Sequence, residues 1–202
     1  MRAPWEPGPV ILPTGYWAGE TAHLHHTCSL PLAAWIADHL RGQEDVPVYD
    51  FGCGTGAYMK ALRGRGFRRV TGFEGEVPAH AACDGIAPQD LTRPFHAGPP
   101  GHVICLEVAE HVPAAFEDVL LENVANACAG SLILSWAVRG QGGDGHVHCL
   151  DNHEAVERIV RRGFQLLEAE TKSARLAAKA SLDMPWFTGT LLVFSRQLPG
   201  HQ

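Results

Sequence analysis

The stretch V-P-V-Y-D-F-G-C-G-T-G-A-Y-M-K, Val46 to Lys60, runs from an apolar segment through an acid and three alternating glycines into a helical pattern. A strand that stops and turns sharply into a helix leaves several backbone N–H groups aimed at one spot. Gly52, Gly54 and Gly56 let the chain turn tightly and let a ligand approach bare main chain. Gly52, Gly54 and Ala57 can be fitted to the dinucleotide pattern G-x-G-x-x-G/A. Asp50 argues against that ligand, because a carboxylate at the strand tip repels a pyrophosphate and suits an ammonium group.

Outward from this segment, apolar strands alternate with amphipathic helices. Strands are expected over Val46–Phe51, Arg69–Phe73, Cys83–Asp90, His102–Leu106, Ser131–Val138, Phe164–Glu168 and Thr190–Ser195. Helices are expected over Ala57–Leu62, Ala114–Ala127, Asn152–Arg162 and Thr171–Leu182, the third capped by Asp151 or Asn152 and stopped at Gly163. This order predicts an α/β fold: a doubly wound, mostly parallel, seven-stranded sheet with helices on both faces. Residues 1–202 read as one domain, with residues 45–196 as its core. Residues 1–44 form an N-terminal arm and a lead helix over Leu30–Leu40; the proline-rich start reads as irregular chain packed by Trp5, Tyr16 and Trp17.

Composition sets outer bounds. The chain has 202 residues, 46% hydrophobic and 19% charged, enough for a sizeable core. A net charge of -6 gives no general attraction to nucleic acid or to an anionic membrane. The basic clusters at Arg63–Arg69 and at Arg158, Arg161 and Arg162 fall where helices end and complement their dipoles. Six cysteines stand singly with no C-x-x-C pair, so no zinc ribbon or dithiol redox site is signalled. No secretory signal and no membrane-spanning run is seen, so a cytoplasmic location is expected.

The D-x-G-x-G-x-G segment resembles that of class I S-adenosylmethionine-dependent methyltransferases, and three further features follow in that family's order. Glu74 ends the second strand, Asp90 lies in I-A-P-Q-D-L-T, and the fourth strand runs into L-E-V-A-E-H-V-P. The resemblance spans about Asp50 to Arg196. It implies a cofactor site for S-adenosylmethionine, with S-adenosylhomocysteine as product, made by Asp50, Gly52, Gly54, Gly56, Glu74, Asp90, Leu91, Leu106 and Glu107. Glu74 would accept the ribose hydroxyls and Asp90 would lie near the adenine amino group; the alternative for Asp90 is a turn cap.

Acceptor chemistry belongs beyond the carboxyl ends of the strands. Candidates there are His111, and Trp136 with the segment G-Q-G-G-D-G-H-V-H, Gly140 to His148. His111, His146 and His148 are the expected catalytic residues, since a positioned base helps when the nucleophile is a hydroxyl. Tyr16, Trp17, His25, His26 and Trp136 are the expected substrate contacts, the first four as a lid or, alternatively, a surface arm.

Glu107, Glu110 and His111 spell E-x-x-E-H, which resembles the metal-binding segment of RNA 3′-terminal 2′-O-methyltransferases, with His146 or His148 as a further ligand. On that alternative a divalent metal (Mg²⁺, Mn²⁺ or Zn²⁺) would grip adjacent oxygens of the acceptor; otherwise the site is metal-free. The leading expectation is an enzyme that methylates O, N or S of a small molecule, with no nucleic acid or membrane partner. The alternatives are methylation of RNA ends, an NAD(P)-binding oxidoreductase, or a non-catalytic S-adenosylmethionine-binding protein.

Overall fold

Strict in–out alternation along the strands builds two cores, one on each face of a single sheet. The computed structural model describes residues 10–18, 26–75, 82–182 and 184–197. The sheet strands are β3 (Val48–Phe51), β4 (Val70–Glu74), β5 (Ile86–Pro88), β6 (Gly101–Cys105), β7 (Cys128–Ser135), β8 (Phe164–Leu166) and β9 (Leu191–Arg196). Tyr49, Phe51, Val103, Cys105, Leu132, Leu134, Leu192 and Phe194 point into one core, while Val48, Ile104, Ile133, Leu191 and Val193 point into the other. Each such side chain withdrawn from water contributes about 1.5–3 kcal/mol.

The strand order is β5-β4-β3-β6-β7-β9-β8. The pairs β3–β4, β4–β5, β3–β6 and β6–β7 are parallel, and β9 runs antiparallel to both neighbours. The fold is therefore the expected α/β architecture with a mostly parallel seven-stranded sheet. The chain turns back on itself between β3 and β6, and the crevice at that switch point is where open α/β sheets bind ligands.

Helices α1 (Leu30–His39), α2 (Ala57–Arg63) and α5 (Glu168–Ala178) contribute to one core, while α3 (Glu117–Ala127) and α4 (Asn152–Val160) contribute to the other. The Ser29 hydroxyl caps α1 by accepting from Leu32 N–H at 3.2 Å. Asp151 caps α4 in a reciprocal box with Glu154. Among the described residues no helix is long and apolar enough to cross a membrane.

Three expectations need correction. Tyr16 and Trp17 were read as irregular arm, yet Val10–Ile11 (β1) pairs with Trp17–Ala18 (β2) in a small hairpin closed by a Gly15 N–H to Leu12 C=O bond. Helix α5 begins at Glu168, three residues before the expected Thr171, because Leu167 N–H ends its ladder bonding at Val193 C=O and frees the chain to turn. A short helix, α6 (Phe187–Thr190), precedes β9 where none was expected; its buried Phe187 seats it in the core.

Candidate active site

Four strands, β5, β4, β3 and β6, end around one cavity of about 360 Å³. Asp50 and Glu74 stand at adjacent strand tips and both line it. The glycine loop runs between them. Gly54 N–H donates to Glu74 Oε2 at 2.8 Å, which fixes that carboxylate against the loop. Gly52 has φ 71 and Gly54 φ 53, and an added Cβ on Gly54 would lie 2.6 Å from His26 Nδ1. Both positions therefore require glycine for conformation and for space.

Asp50 is 3% exposed, and its Oδ2 has no hydrogen-bond partner. Burial, with the Glu74 carboxylate adding to it, pushes its pKa up to about 7. A buried, unsatisfied carboxylate facing a cavity is a seat for a cationic group.

Asp90 forms the turn weighed as its alternative role: Oδ1 accepts from Thr92 N–H at 2.9 Å and from the Thr92 hydroxyl at 2.6 Å. Its Oδ2 lies 3.4 Å from the exposed Arg93 guanidinium. It lines the cavity nonetheless, beside Leu91.

Glu107 follows β6 with φ 57, a left-handed conformation unusual for a residue with a side chain. Its carboxyl is pushed to about 7 by burial, opposed by the hydrogen bond from Ser135 and by the nearby Trp186 indole N–H. Glu110, three residues on, is fully buried with neither oxygen in a hydrogen bond of full geometry, although the N–H groups of Val108, Glu110 and Ala137 face it. Burial and the neighbouring Glu107 hold its carboxyl well above the usual range.

His111 lines the cavity with its pKa lowered to about 4, by burial and then by His146, so it is neutral at pH 7. The two rings meet edge to face at 5.1 Å. Trp17 meets His111 in the same way at 5.6 Å and stacks on His26 at 5.7 Å. The hairpin is thus seated over the crevice, with Gly15 packed so closely on His111 that a Cβ there would lie 2.0 Å from the His111 carbonyl oxygen.

The cavity thus brings together Tyr16, Trp17, His26, Asp50, Gly52, Gly54, Glu74, Asp90, Leu91, Leu106, Glu107, His111 and His146. Other sequence candidates lie elsewhere. His148, expected as catalytic, turns away: its Nε2 lies 3.3 Å from Glu117, which Arg158 also binds at 2.8 Å. Trp136, expected at the acceptor, is 1% exposed in the core and donates from Nε1 to the His148 carbonyl at 2.7 Å. Both are corrected to structural supports of the glycine-rich loop. Gly56 adopts the left-handed N-cap conformation of α2 and does not line the cavity. His25 lies outside the described residues.

Sequence reasoning missed Tyr58, Gln89, Met184, Trp186 and Phe187, all of which line the cavity. Only the aromatic pair Trp186-Phe187 after a proline carried any signal, and it lies over a hundred residues from the glycine loop in a segment read as connection.

Glu110, His111 and His146 each offer a metal-ligand atom, all within 4.8 Å of one another. Donors around a four-coordinate ion with bonds near 2.1 Å stand only about 3.4 Å apart. That separation lies inside the 4.8 Å limit; Glu110 itself is fully buried and is not part of the cavity lining. Glu107, expected as a fourth ligand, is instead bound to Ser135.

No protein-family model matches the chain, and no curated protein matches it in sequence. Solved structures do share its fold. Magnesium protoporphyrin IX methyltransferase from Synechocystis PCC 6803 with bound S-adenosylhomocysteine is 17% identical, with 83% of each chain covered and a TM-score of 0.61. The sugar N-methyltransferase KedS8 from Streptoalloteichus is 16% identical over 83% of this chain and 87% of that one, with a TM-score of 0.62. The [4+2]-cyclase SpnF is 14% identical over 84% and 81%, also with a TM-score of 0.62. The chain has the fold of class I S-adenosylmethionine-dependent methyltransferases. The cyclase among these structures illustrates that this fold alone does not fix a reaction.

Proposed function

We propose that the protein binds S-adenosylmethionine and catalyses methyl transfer to a small molecule. The observation that carries this reading is the pairing of Asp50 and Glu74 across bare glycine backbone in one cavity. When bound, S-adenosylmethionine supplies an electrophilic sulfonium methyl group. Asp50 receives the cofactor's ammonium group, which meets its unpartnered oxygen, and Glu74 takes the ribose hydroxyls. Asp90 and Leu91 border the adenine, and Leu106 with Glu107 border the methionine end. The solved relative with bound S-adenosylhomocysteine supports the same cofactor.

What the chain adds is orientation. The hairpin residues Tyr16 and Trp17, with His26, line one side of the crevice, and two reactants held in line there gain most of their rate from proximity. His111 and His146, the former neutral at pH 7, line the acceptor end of the cavity.

Among the described lining residues are five carboxylates (Asp50, Glu74, Asp90, Glu107 and Asp144) and no lysine or arginine. This disfavours the RNA-end reading, since phosphate recognition needs the opposite charge. It also disfavours a dinucleotide, whose pyrophosphate would face Asp50 and Glu74. Parallel titrations of the protein with S-adenosylhomocysteine and with NADH test the assignment: saturable heat with the first alone supports it, and binding of NADH alone refutes it.

A further inference from the structure

Resting on the methyltransferase reading above, we infer that the acceptor is an amine that enters the cavity as its ammonium ion, between Glu107 and a wall of aromatic rings. Of the five acids lining the cavity, Asp50 and Glu74 serve the cofactor in that reading; the others are Asp90 in its turn with Thr92, Asp144 near His111, and Glu107, one oxygen of which Ser135 holds. Past Asp50 along the sheet comes Glu107, with Glu110 beneath it.

Glu110 is fully buried and both its oxygens lack a hydrogen bond, and it repels Glu107. With no lysine or arginine in the cavity lining, these two adjoining acids make a setting that suits a cation. An acceptor with a carboxylate or phosphate near its reacting atom would add a third like charge to this pair. The walls are suited to the opposite sign. Trp17, His111 and His146 form a run of edge-to-face rings, and Trp186 also lines the cavity with its indole N–H close to Glu107. Faces of such rings attract an ammonium ion. A divalent ion held by Glu110, His111 and His146 is the competing cation, and EDTA in the titration separates the two.

The chemistry balances without a further reagent. The ammonium gives one proton to the Glu107 carboxylate, which frees the nitrogen lone pair. That pair forms the new N–CH₃ bond as the S–CH₃ bond breaks, and the electrons of the broken bond stay on sulfur. Glu107 keeps the first proton until product leaves, and the methylated product departs as an ammonium ion.

The test is run on the full chain saturated with S-adenosylhomocysteine. Its prior titration separates failure of the cofactor reading, which would show as no binding at that stage. A panel of primary and secondary arylalkylamines is then titrated by calorimetry beside the matched alcohols and carboxylates, with EDTA present throughout. At least one amine should bind about tenfold or more tighter than its alcohol, the size of a charge-assisted hydrogen bond. Its carboxylate counterpart should not bind, and Glu107→Gln should cut the amine's advantage about tenfold. The inference is overturned if no amine binds, if alcohols or carboxylates bind as well as amines, if binding appears only when a divalent metal replaces EDTA, or if Glu107→Gln leaves the preference intact.

Discussion

The Ser135 hydroxyl holds Glu107 twice: it accepts from the Glu107 backbone N–H at 2.7 Å and donates to Oε1 at 2.8 Å. Ser135 ends β7 and is fully buried, so this pair ties the end of one strand to the residue just past its neighbour and holds Glu107 in its left-handed conformation. Ser135→Ala removes both bonds from a buried setting and should lower stability by about 1–3 kcal/mol in urea denaturation. It should also raise the pKa of Glu107, because the bond from Ser135 opposes the effect of burial. Unchanged stability would show that the pair holds nothing in place.

Acidity of the cavity gives a pH signature. Asp50 and Glu107 both titrate near 7 in the folded protein, well above their ordinary values. A folded-state carboxyl that holds its proton more tightly than the unfolded chain contributes stability at low pH, and that contribution is lost as pH rises from the unfolded value toward 7. The ligand-free protein should therefore be less stable at pH 8 than at pH 5.5 on account of these groups. A cation seated on Asp50 favours the ionised form, so S-adenosylhomocysteine should bind more tightly at pH 8 and raise the melting temperature more there. Equal shifts at both pH values would contradict the seat assigned to Asp50.

Space above the glycine loop is already taken by His26. Gly54→Ala places a Cβ against that ring and asks alanine to hold φ near 53, at a local cost of about 1 kcal/mol. Cofactor affinity should fall about tenfold or more, while far-ultraviolet circular dichroism stays as in the wild type. Wild-type affinity in this variant would mean that the ligand does not approach the loop.

Removing metal should change nothing. Protein dialysed against EDTA should melt at the same temperature and bind S-adenosylhomocysteine equally, and added Mg²⁺ or Mn²⁺ should not raise the melting temperature. One equivalent of tightly held divalent metal in the purified protein, with its loss weakening the fold, would instead assign Glu110, His111 and His146 to an ion.

Much of the fold was legible because the strands advertise themselves locally. Ser131 to Leu134 and Leu191 to Phe194 are apolar runs bounded by polar or turn residues, and Gly52 and Gly54 announce a sharp turn. That Asp50 and Glu74 line a cavity was readable because a strand-tip acid has no role inside a core. His148 and Trp136 misled for the converse reason. His148 meets Glu117, far off in sequence, and Trp136 meets the His148 carbonyl, contacts that only the packed structure shows. The place of Trp186 near Glu107 could not be read because it depends on the turn of α6 before β9. The hairpin was missed because β1 and β2 are two residues each, too short for any alternation to register.

The most direct measurement is calorimetric titration of S-adenosylhomocysteine into the wild type, Asp50→Asn and Glu74→Gln. The account predicts saturable one-to-one binding to the wild type and a loss of about tenfold or more in each variant, with their folds retained. Absence of binding to the wild type, or undiminished affinity in both variants, would contradict it.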